Sequence, residues 1–277
     1  MPVIINEQFY PALPEGLALA TRAVFYGDAL FETMRSFDGS IPLLGRHWVR
    51  LNAGMQALGF DIPDNWNAAF FQREISRVAP ANARVRLTVW RSHGGRYAPE
   101  RNAACFLITA EAMDTGYVDW PSAPYNVGLS EHVRIPVDAY SNFKTLNAAR
   151  YVAAAREAAA NGWDDALVLN SSDRICEATS SNAFWWLGDR LCTVPLSEGC
   201  VAGVMRAVVL ENCRALGYTV QENSITFAAL QQADEIFLTN AVRGIIPVRI
   251  FAGQLRTNLK TKRLFDTIKG HMFDIAQ

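Results

Sequence analysis

The segment Asp114–Tyr125 (DTGYVDWPSAPY) contains one glycine and two prolines and has no hydrophobic periodicity. Glycine and proline interrupt helices and strands, so a segment of this kind marks a boundary between folded units. Patterns typical of strands and helices occur on both sides of it. We therefore predict two domains, residues 1–115 and residues 125–277, joined by a linker at about residues 116–124.

The first of these domains is predicted to mix helices and strands. Ala29–Phe37 alternates as a strand does, and after an Asp-Gly turn Ile41–Leu44 is predicted to be the returning strand. Arg46–Leu58 carries apolar residues at helical spacing. Arg84–Arg91 and Ala104–Glu111 read as two more strands. These patterns predict a small α/β domain.

The second domain contains several short strand patterns at close spacing. With two helices, at Asn147–Ala160 and Val204–Leu216, this spacing favours a barrel-like arrangement over a doubly wound parallel sheet. The sequence has no GxGxxG or P-loop motif, which argues against a Rossmann dinucleotide site. The predicted fold class is α+β with two domains.

Composition excludes several classes of protein. The 277 residues carry a formal net charge of −1, so we expect neither nucleic acid nor an acidic membrane as a partner. No apolar run is as long as a membrane span, and residues 1–10 do not resemble a signal peptide. The five cysteines form no CxxC pair and the histidines lack zinc-site spacing, so we expect a reduced, cytoplasmic protein without a metal.

Lys144 is the residue that most directly indicates chemistry. It is the only lysine before Lys260 in a chain with 26 Lys and Arg residues, and it lies between Phe143 and Leu146, ahead of an alanine-rich helix. Apolar neighbours and the positive end of a helix both favour the uncharged amine. Such an amine is a nucleophile toward aldehydes and a general base. The alternative is that a composition biased toward arginine leaves one lysine here by chance.

Two further features are consistent with a cofactor that has a ring nitrogen and a phosphate. Glu177 ends a predicted strand and would keep a pyridine nitrogen protonated, although a solvated carboxylate at a strand end is the alternative. Gly203 precedes a helix whose first N–H groups belong to Val204 and Met205, and helix N-termini bind phosphate. Thr239–Ala241 ends another strand and offers a second contact to phosphate or substrate.

Together, six segments of the sequence resemble the fold-type IV (class IV) enzymes that depend on pyridoxal 5′-phosphate (PLP). This family includes branched-chain aminotransferases, D-amino acid aminotransferases and 4-amino-4-deoxychorismate lyases. The segments occur in the family's order and span nearly the whole chain. They are Tyr26–Thr33 (YGDALFET), His47–Leu51 (HWVRL), Phe143–Asn147 (FKTLN), Glu177–Phe184 (EATSSNAF), Gly203–Arg206 (GVMR) and Ala233–Asn240 (ADEIFLTN).

The resemblance implies a small N-terminal α/β domain and a larger C-terminal pseudobarrel with PLP between them, in a homodimer. It also implies that Lys144 binds PLP as a Schiff base, that Glu177 pairs with the pyridine nitrogen and that Arg50 binds the phosphate.

Further cofactor contacts are implied from the N–H groups of Val204 and Met205 and from Asn240 and Ala241. Many aminotransferases of the family have Thr at the position of Met205, and its hydroxyl adds a hydrogen bond to the phosphate. Met205 offers only its N–H, so this contact is expected to be weaker or to be replaced by one from near Ala241.

The features that distinguish members of the family favour the lyase. Thr33 stands where branched-chain enzymes usually have Gly. The loop Ser92–Tyr97 (SHGGRY) resembles the Gly-Gly-Arg loop of the lyases, with Arg96 binding a substrate carboxylate. Thr239–Ala241 also resembles the lyases, whereas Glu177–Asn182 is close to the version found in D-amino acid aminotransferases.

The implied reaction converts aminodeoxychorismate to 4-aminobenzoate and pyruvate, a step of folate biosynthesis. In it Lys144 removes the proton from the ring carbon that bears nitrogen, and Thr33 guides a proton to the departing group. We expect Arg96, Tyr26 and Arg91 to contact the substrate, a small molecule with amine and carboxylate groups. The alternatives are a branched-chain or D-amino acid aminotransferase, which shares the first steps, and a PLP-fold protein without turnover, against which the joint presence of the cofactor residues argues.

Overall fold

The structure, a computed structural model, describes residues 1–14, 21–113, 119–270 and 272–273. The chain divides into two units, of which the first comprises Met1–Gly116 and Phe143–Asn147. The second comprises Tyr117–Asn142 and Ala148–Gln277. Residues 116–118 of the predicted linker lie outside the described residues, so the predicted domain boundary remains a prediction. Phe143–Asn147, which the sequence assigned to the second domain, groups with the first unit.

The described part of the first unit has one five-stranded sheet and three helices. In chain order these elements are β1 (Val3–Ile5), β2 (Gln8–Tyr10), α1 (Arg22–Tyr26), β3 (Ala29–Ser36), α2 (Leu44–Ala57), α3 (Ala68–Ser76), β4 (Ala83–Arg91) and β5 (Ala104–Ala112). The sheet is antiparallel, in the order β2-β1-β5-β4-β3.

One face of this sheet forms the core of the first unit. Burial alternates along β4, as the alternating sequence predicts for a strand with one covered face. The core is formed by β-strand residues of this face and by apolar residues of α2 and α3, among them Leu30, Met34, Val85, Leu51 and Phe71. The neighbouring positions, Phe31 and Thr33 on β3 and Arg86 and Thr88 on β4, therefore lie on the opposite face of the sheet.

The predicted return strand Ile41–Leu44 is wrong. β3 ends at Ser36, and a bridge between Phe37 and Ser40 closes the predicted Asp-Gly turn, after which Leu44 already begins α2. Pro42 accounts for this difference, because it has no N–H to donate to a neighbouring strand and its φ angle suits the approach to a helix.

The described part of the second unit has ten strands and four helices. They are β6 (Asn126–Ile135), α4 (Ala149–Ala160), β7 (Asp165–Asn170), β8 (Ile175–Ala178), β9 (Asn182–Leu187), β10 (Arg190–Thr193), α5 (Val204–Ala215), β11 (Thr219–Glu222), α6 (Phe227–Leu230), β12 (Glu235–Asn240), β13 (Gly244–Val248), β14 (Ile250–Phe251), β15 (Gln254–Leu255) and α7 (Leu259–Ile268).

These strands form two five-stranded sheets that share one core. Their orders are β11-β10-β9-β12-β13 and β15-β14-β6-β7-β8, with parallel and antiparallel neighbours in each. Leu167 and Ile175 of one sheet belong to the same hydrophobic cluster as Trp185 and Ile236 of the other. The mixed α and β content confirms the predicted fold class. None of the helices in the described residues is long and apolar enough to cross a membrane.

Candidate active site

Lys144 is held by backbone pairing to the first sheet. Strand β3 is an edge strand, and the segment Phe143–Asn147 pairs with that edge. The N–H of Phe31 donates to the carbonyl of Lys144 at 2.9 Å, and the N–H of Leu146 donates to the carbonyl of Ala29 at 3.0 Å. The amine of Lys144 then lies 4.4 Å from the centroid of the Phe31 ring. The sheet thus fixes the backbone of this lysine and places the Phe31 ring beside its amine.

Phe31 marks an open face of the sheet that also carries Thr33 and a second cation. The guanidinium carbon of Arg86 lies 4.0 Å from the centroid of the Phe31 ring. Thr33 is paired with Arg86 across β3 and β4, so both lie on this face. The face therefore carries an amine and a guanidinium beside one aromatic ring, with the hydroxyl of Thr33 on the same face.

The sequence did not single out Arg86 as a functional residue, because the segment RVRLTVWR has the alternating pattern of an ordinary half-buried strand. Its Nε donates weakly to the Thr88 hydroxyl at 3.4 Å, and among the described residues it forms no salt bridge. Burial, together with the nearby Arg84, lowers the pKa of Arg86. A half-buried guanidinium without a paired carboxylate is a candidate for binding an anion from outside the chain.

On the other face of β3, Arg50 is oriented by a buried carboxylate. Glu32 is 1% exposed and accepts from Nε of Arg50 at 2.8 Å and from Nη2 at 2.5 Å. Nδ1 of His47 lies 2.6 Å from the same carboxylate. Burial acts to raise the pKa of Glu32, but Arg50 and His47 outweigh it and lower this pKa to about 2. Glu32 therefore fixes the plane of the guanidinium predicted to bind phosphate.

His47 supports the same carboxylate as a neutral ring. Burial lowers the pKa of His47, and the charge of Glu32 offsets this effect only in part. Because an ionised carboxylate can only accept hydrogen bonds, the ring proton lies on Nδ1 and is donated to Glu32.

Arg91, predicted to contact substrate, is instead a structural residue. It is 6% exposed, and its five N–H donors all have acceptors within the first unit. Nε and Nη2 donate to Asp28, Nη1 to the carbonyl of Gly59 and the side chain of Asn102, and Nη2 also to the carbonyl of Leu58. No donor is left for a substrate. The prediction that Arg91 contacts the substrate is therefore wrong.

Arg96 and Tyr26, the other predicted substrate residues, lie on the surface of the first unit. Arg96 is exposed in the loop between β4 and β5. The ring of Tyr26 lies 5.4 Å from that of Tyr97, the residue that follows Arg96. The structure therefore brings Tyr26 close to the Arg96 loop.

Glu177 is buried in the second unit, which excludes the solvated strand-end alternative. It is 4% exposed on β8. The hydroxyl of Tyr151 donates to Oε1 at 2.6 Å, whereas Nδ2 of Asn182 and the N–H of Val201 donate to Oε2 at 3.2 and 3.1 Å. Burial and the charge of Glu177 raise the pKa of Tyr151, so its hydroxyl stays protonated as a donor. Three neutral donors thus hold the carboxylate in place.

The N-terminus of α5 is buried and lacks a capping side chain. Gly203 is its N-cap residue and makes no side-chain hydrogen bond to the helix. Val204 and Met205 are buried, and the described residues offer no acceptor for their N–H groups. A Cβ atom at position 203 would lie 1.9 Å from Oδ1 of Asn182, so this approach requires glycine. A buried, uncapped helix end fits a bound anion such as a phosphate.

The turn that follows β12 offers a backbone donor. Oδ1 of Asn240 accepts from the N–H groups of Val242 and Arg243 at 3.1 and 2.8 Å, and its Nδ2 donates to Ser181 at 3.0 Å. The Asn240 side chain therefore shapes the turn. The N–H of Ala241 has no acceptor within the described ranges, so it could donate to a ligand.

These groups fit PLP. In the first unit the amine of Lys144 can react with its aldehyde. In the second unit a carboxylate held by neutral donors can accept a hydrogen bond from a protonated pyridine, and an uncapped helix end suits its phosphate. Across the described part of the chain, no three His, Cys, Asp or Glu side chains are placed to bind a metal ion.

Comparison with known protein families gives a match over most of the chain. The model of the family described as "Amino-transferase class IV" matches residues 29–251. This range includes Lys144, Glu177 and both strands of the open face.

Similar proteins include both a lyase and aminotransferases. An aminodeoxychorismate lyase of Vibrio harveyi is 27% identical over 92% of this chain and 94% of its own length. A putative branched-chain-amino-acid aminotransferase of Methanocaldococcus jannaschii is 26% identical over 99% of this chain and 96% of its own.

Solved structures share the fold. The 4-amino-4-deoxychorismate lyase of Pseudomonas aeruginosa superposes with a TM-score of 0.83 and 26% identity, covering 97% of this chain and 98% of its own. An aminotransferase of Brucella abortus, solved with the co-factor PLP, gives a TM-score of 0.83 at 24% identity, with 95% of each chain covered.

Proposed function

We propose, from the premise that this chain belongs to the amino-transferase class IV family, that it is a PLP-dependent 4-amino-4-deoxychorismate lyase. PLP is its cofactor, as the sequence predicted. The reaction converts aminodeoxychorismate to 4-aminobenzoate and pyruvate. The observation that carries this proposal is the open face of the first sheet, where Lys144 and Arg86 lie against Phe31. Two cations around one ring suit a cyclic substrate with carboxylates better than they suit an aliphatic side chain.

Each cofactor role is assigned to a group whose surroundings support it. Lys144 holds PLP through its amine, and Glu177 accepts the hydrogen bond of the pyridine nitrogen. When bound, PLP withdraws electrons from the carbon next to the substrate amine. Arg50, the N–H groups of α5 and the N–H of Ala241 hold the phosphate, and Glu32 keeps the Arg50 guanidinium in one orientation.

Proton movement is assigned to Lys144 and Thr33. Once the amine of the substrate has replaced that of Lys144 on the cofactor, the freed amine of Lys144 removes the proton from the ring carbon that bears nitrogen. The bond between the adjacent carbon and the ether oxygen then breaks, and the enolpyruvyl group leaves with that oxygen. Thr33, on the face that also carries Phe31, directs a proton to the departing group, which becomes pyruvate while the ring becomes aromatic.

Substrate recognition is assigned to guanidinium groups. Arg86 on the open face and Arg96 in the loop each present a planar donor set that matches a carboxylate. Tyr26, packed beside that loop, contributes an aromatic surface. We further propose that the enzyme is a cytoplasmic homodimer, as is common in the family.

A branched-chain or D-amino acid aminotransferase is the second candidate. It is favoured by the Methanocaldococcus jannaschii relative, which aligns over 99% of this chain. Lys144, Glu177 and Arg50 would keep their roles, and Arg86 would bind the acidic group of a dicarboxylic amino donor or keto acid. A PLP-fold protein without turnover is a more remote alternative, and the joint presence of these three residues argues against it.

Incubation of the purified holoenzyme with aminodeoxychorismate separates these candidates. We expect equimolar 4-aminobenzoate and pyruvate, each quantified by chromatography. Parallel reactions contain leucine or D-alanine with 2-oxoglutarate and are assayed for glutamate. Glutamate without 4-aminobenzoate would assign the chain to the aminotransferases, and no product in any reaction would favour the protein without turnover.

A further inference from the structure

Three backbone carbonyls of the Arg96 loop converge on one buried side chain, Arg22. Its Nη1 donates to the carbonyl of Gly94 at 3.2 Å and to that of Arg96 at 2.5 Å, and its Nη2 donates to the carbonyl of Tyr97 at 3.4 Å. Arg22 is 5% exposed, whereas Arg96 itself is exposed. A buried cation therefore holds the backbone of the residue that is proposed to bind substrate.

Arg22 is itself fixed in position. It is the first residue of α1, and its Nε donates to Asp28 at 2.8 Å. Its guanidinium carbon lies 4.9 Å from the centroid of the Tyr26 ring. Asp28 also accepts from Arg91, and although burial acts to raise the pKa of Asp28, the hydrogen bonds and charges of Arg91 and Arg22 lower it. The carboxylate thus remains ionised between two arginines.

The loop has one defined backbone shape. Gly94 and Gly95 have φ angles of 111° and 73°, in the region that favours glycine. A bridge joins Gly95 to Pro99, and a Cβ atom at position 95 would lie 2.2 Å from the carbonyl oxygen of Ala98. The Gly-Gly pair therefore forms a tight turn, and this turn is anchored at Arg22.

We infer that Arg22 is a positioning residue for Arg96, setting the place of the substrate-binding guanidinium through the backbone of Gly94–Tyr97. The inference rests on the proposed role of Arg96. Arg22 does not touch substrate or cofactor in this account. Its loss leaves three loop carbonyls without their donor and lets Arg96 occupy many positions. Because Arg96 contacts the substrate before and during the reaction, KM should rise while kcat changes little.

Two substitutions test this inference. Arg22→Gln removes the charge and most of the donors. Arg22→Lys keeps the charge beside Asp28, but its single ammonium cannot reach three carbonyls, and it carries the test should Arg22→Gln not fold. Arg84→Gln is the matched control, since Arg84 pairs with Glu111 at the surface.

Limited proteolysis with trypsin measures the loop without reference to any reaction. In the holoenzyme we expect the Arg96–Tyr97 bond to be cut at least about tenfold faster in the Arg22 variants than in the wild type, with Arg84→Gln unchanged. PLP content should be the same in all of them. Cleavage at the wild-type rate in both Arg22 variants overturns the inference, whatever the substrate proves to be.

Kinetics then test the link to Arg96. Arg96→Ala gives the full effect of losing the guanidinium, and the Arg22 variants should raise KM in the same direction, by about tenfold, with kcat within about twofold. The substrate used is the one that the wild-type enzyme turns over, so failure of the lyase proposal does not remove this measurement. Faster cleavage with an unchanged KM overturns the positioning role.

Discussion

The buried Glu32 carboxylate provides a quantitative test of the first unit. Glu32→Gln removes the negative charge that pairs with Arg50 and accepts the hydrogen bond of His47, but keeps the shape of the side chain. Arg50, which is largely buried, then loses this anionic partner. Removing one partner of a buried pair is far more destabilising than removing one at the surface.

The pKa of Glu32 gives the size of the effect. It is lowered from 4.5 to about 2 in the folded chain. Since one pH unit of pKa corresponds to about 1.4 kcal/mol, ionised Glu32 contributes about 3 kcal/mol to the free energy of unfolding at neutral pH. A lowered pKa means that this stability is present above about pH 4.5 and is lost as the pH falls toward 2. The lowered pKa of His47 acts in the same direction, below about pH 6.5.

Urea unfolding of the holoenzyme at constant excess PLP measures this contribution. We expect Glu32→Gln to lose about 3 kcal/mol at pH 7 and to lose stability less steeply than the wild type between pH 4.5 and the acid limit of the assay. Glu111→Gln is the matched control, because Glu111 pairs with Arg84 at the surface, and it should cost less than about 1 kcal/mol. A Glu32→Gln protein as stable as this control, with an unaltered pH dependence, would refute the reasoning.

Three further substitutions test the proposed site. Glu177→Gln should lower kcat at least about tenfold while the absorbance of bound PLP stays near the wild-type value, because an amide cannot keep the pyridine protonated; wild-type turnover would make Glu177 purely structural. Gly203→Ala should weaken PLP retention in dialysis at least about tenfold, since the new Cβ would lie 1.9 Å from a neighbouring amide oxygen, whereas Gly45→Ala, where a Cβ meets open space, should retain PLP. Arg86→Ala should raise the KM for substrate about tenfold with unchanged PLP content, a loss of about 1.4 kcal/mol, and equal effects from Arg84→Ala would argue against a specific contact.

Local sequence patterns predicted much of the fold. The helix predicted at Arg46–Leu58 is found at Leu44–Ala57, and the strand predicted at Arg84–Arg91 is found at Ala83–Arg91. Both follow from hydrophobic periodicity, which depends on residues close in sequence. The prediction of a strand at Ile41–Leu44 was wrong because it rested on the apolar residues, whereas Pro42 has no N–H to donate to a neighbouring strand.

The partners of the site residues were not predictable in the same way. The hydroxyl of Tyr151 reaches Glu177 across 26 positions, and Arg22 reaches the loop carbonyls across more than 70. Such contacts arise only when distant elements pack together. Arg91 shows the converse case, since its charge suggested a substrate contact until its five donors were found to be occupied.

The family resemblance predicted the class of enzyme, which the local patterns of helices and strands did not. Six ordered segments predicted the class IV family, which the family model confirms over residues 29–251. They could not separate lyase from aminotransferase, because the roles proposed for Lys144, Glu177 and Arg50 are the same in both reactions. The distinction depends on substrate contacts such as those proposed for Arg86 and Arg96.

Every chemical role proposed above depends on PLP bound to Lys144. Reduction of the purified holoenzyme with borohydride fixes the cofactor to the side chain that holds it, and peptide mapping by mass spectrometry identifies that residue. We predict a single pyridoxyl adduct on the peptide that contains Lys144. An adduct on Lys260, Lys262 or Lys269, or no adduct on any lysine, would contradict the account.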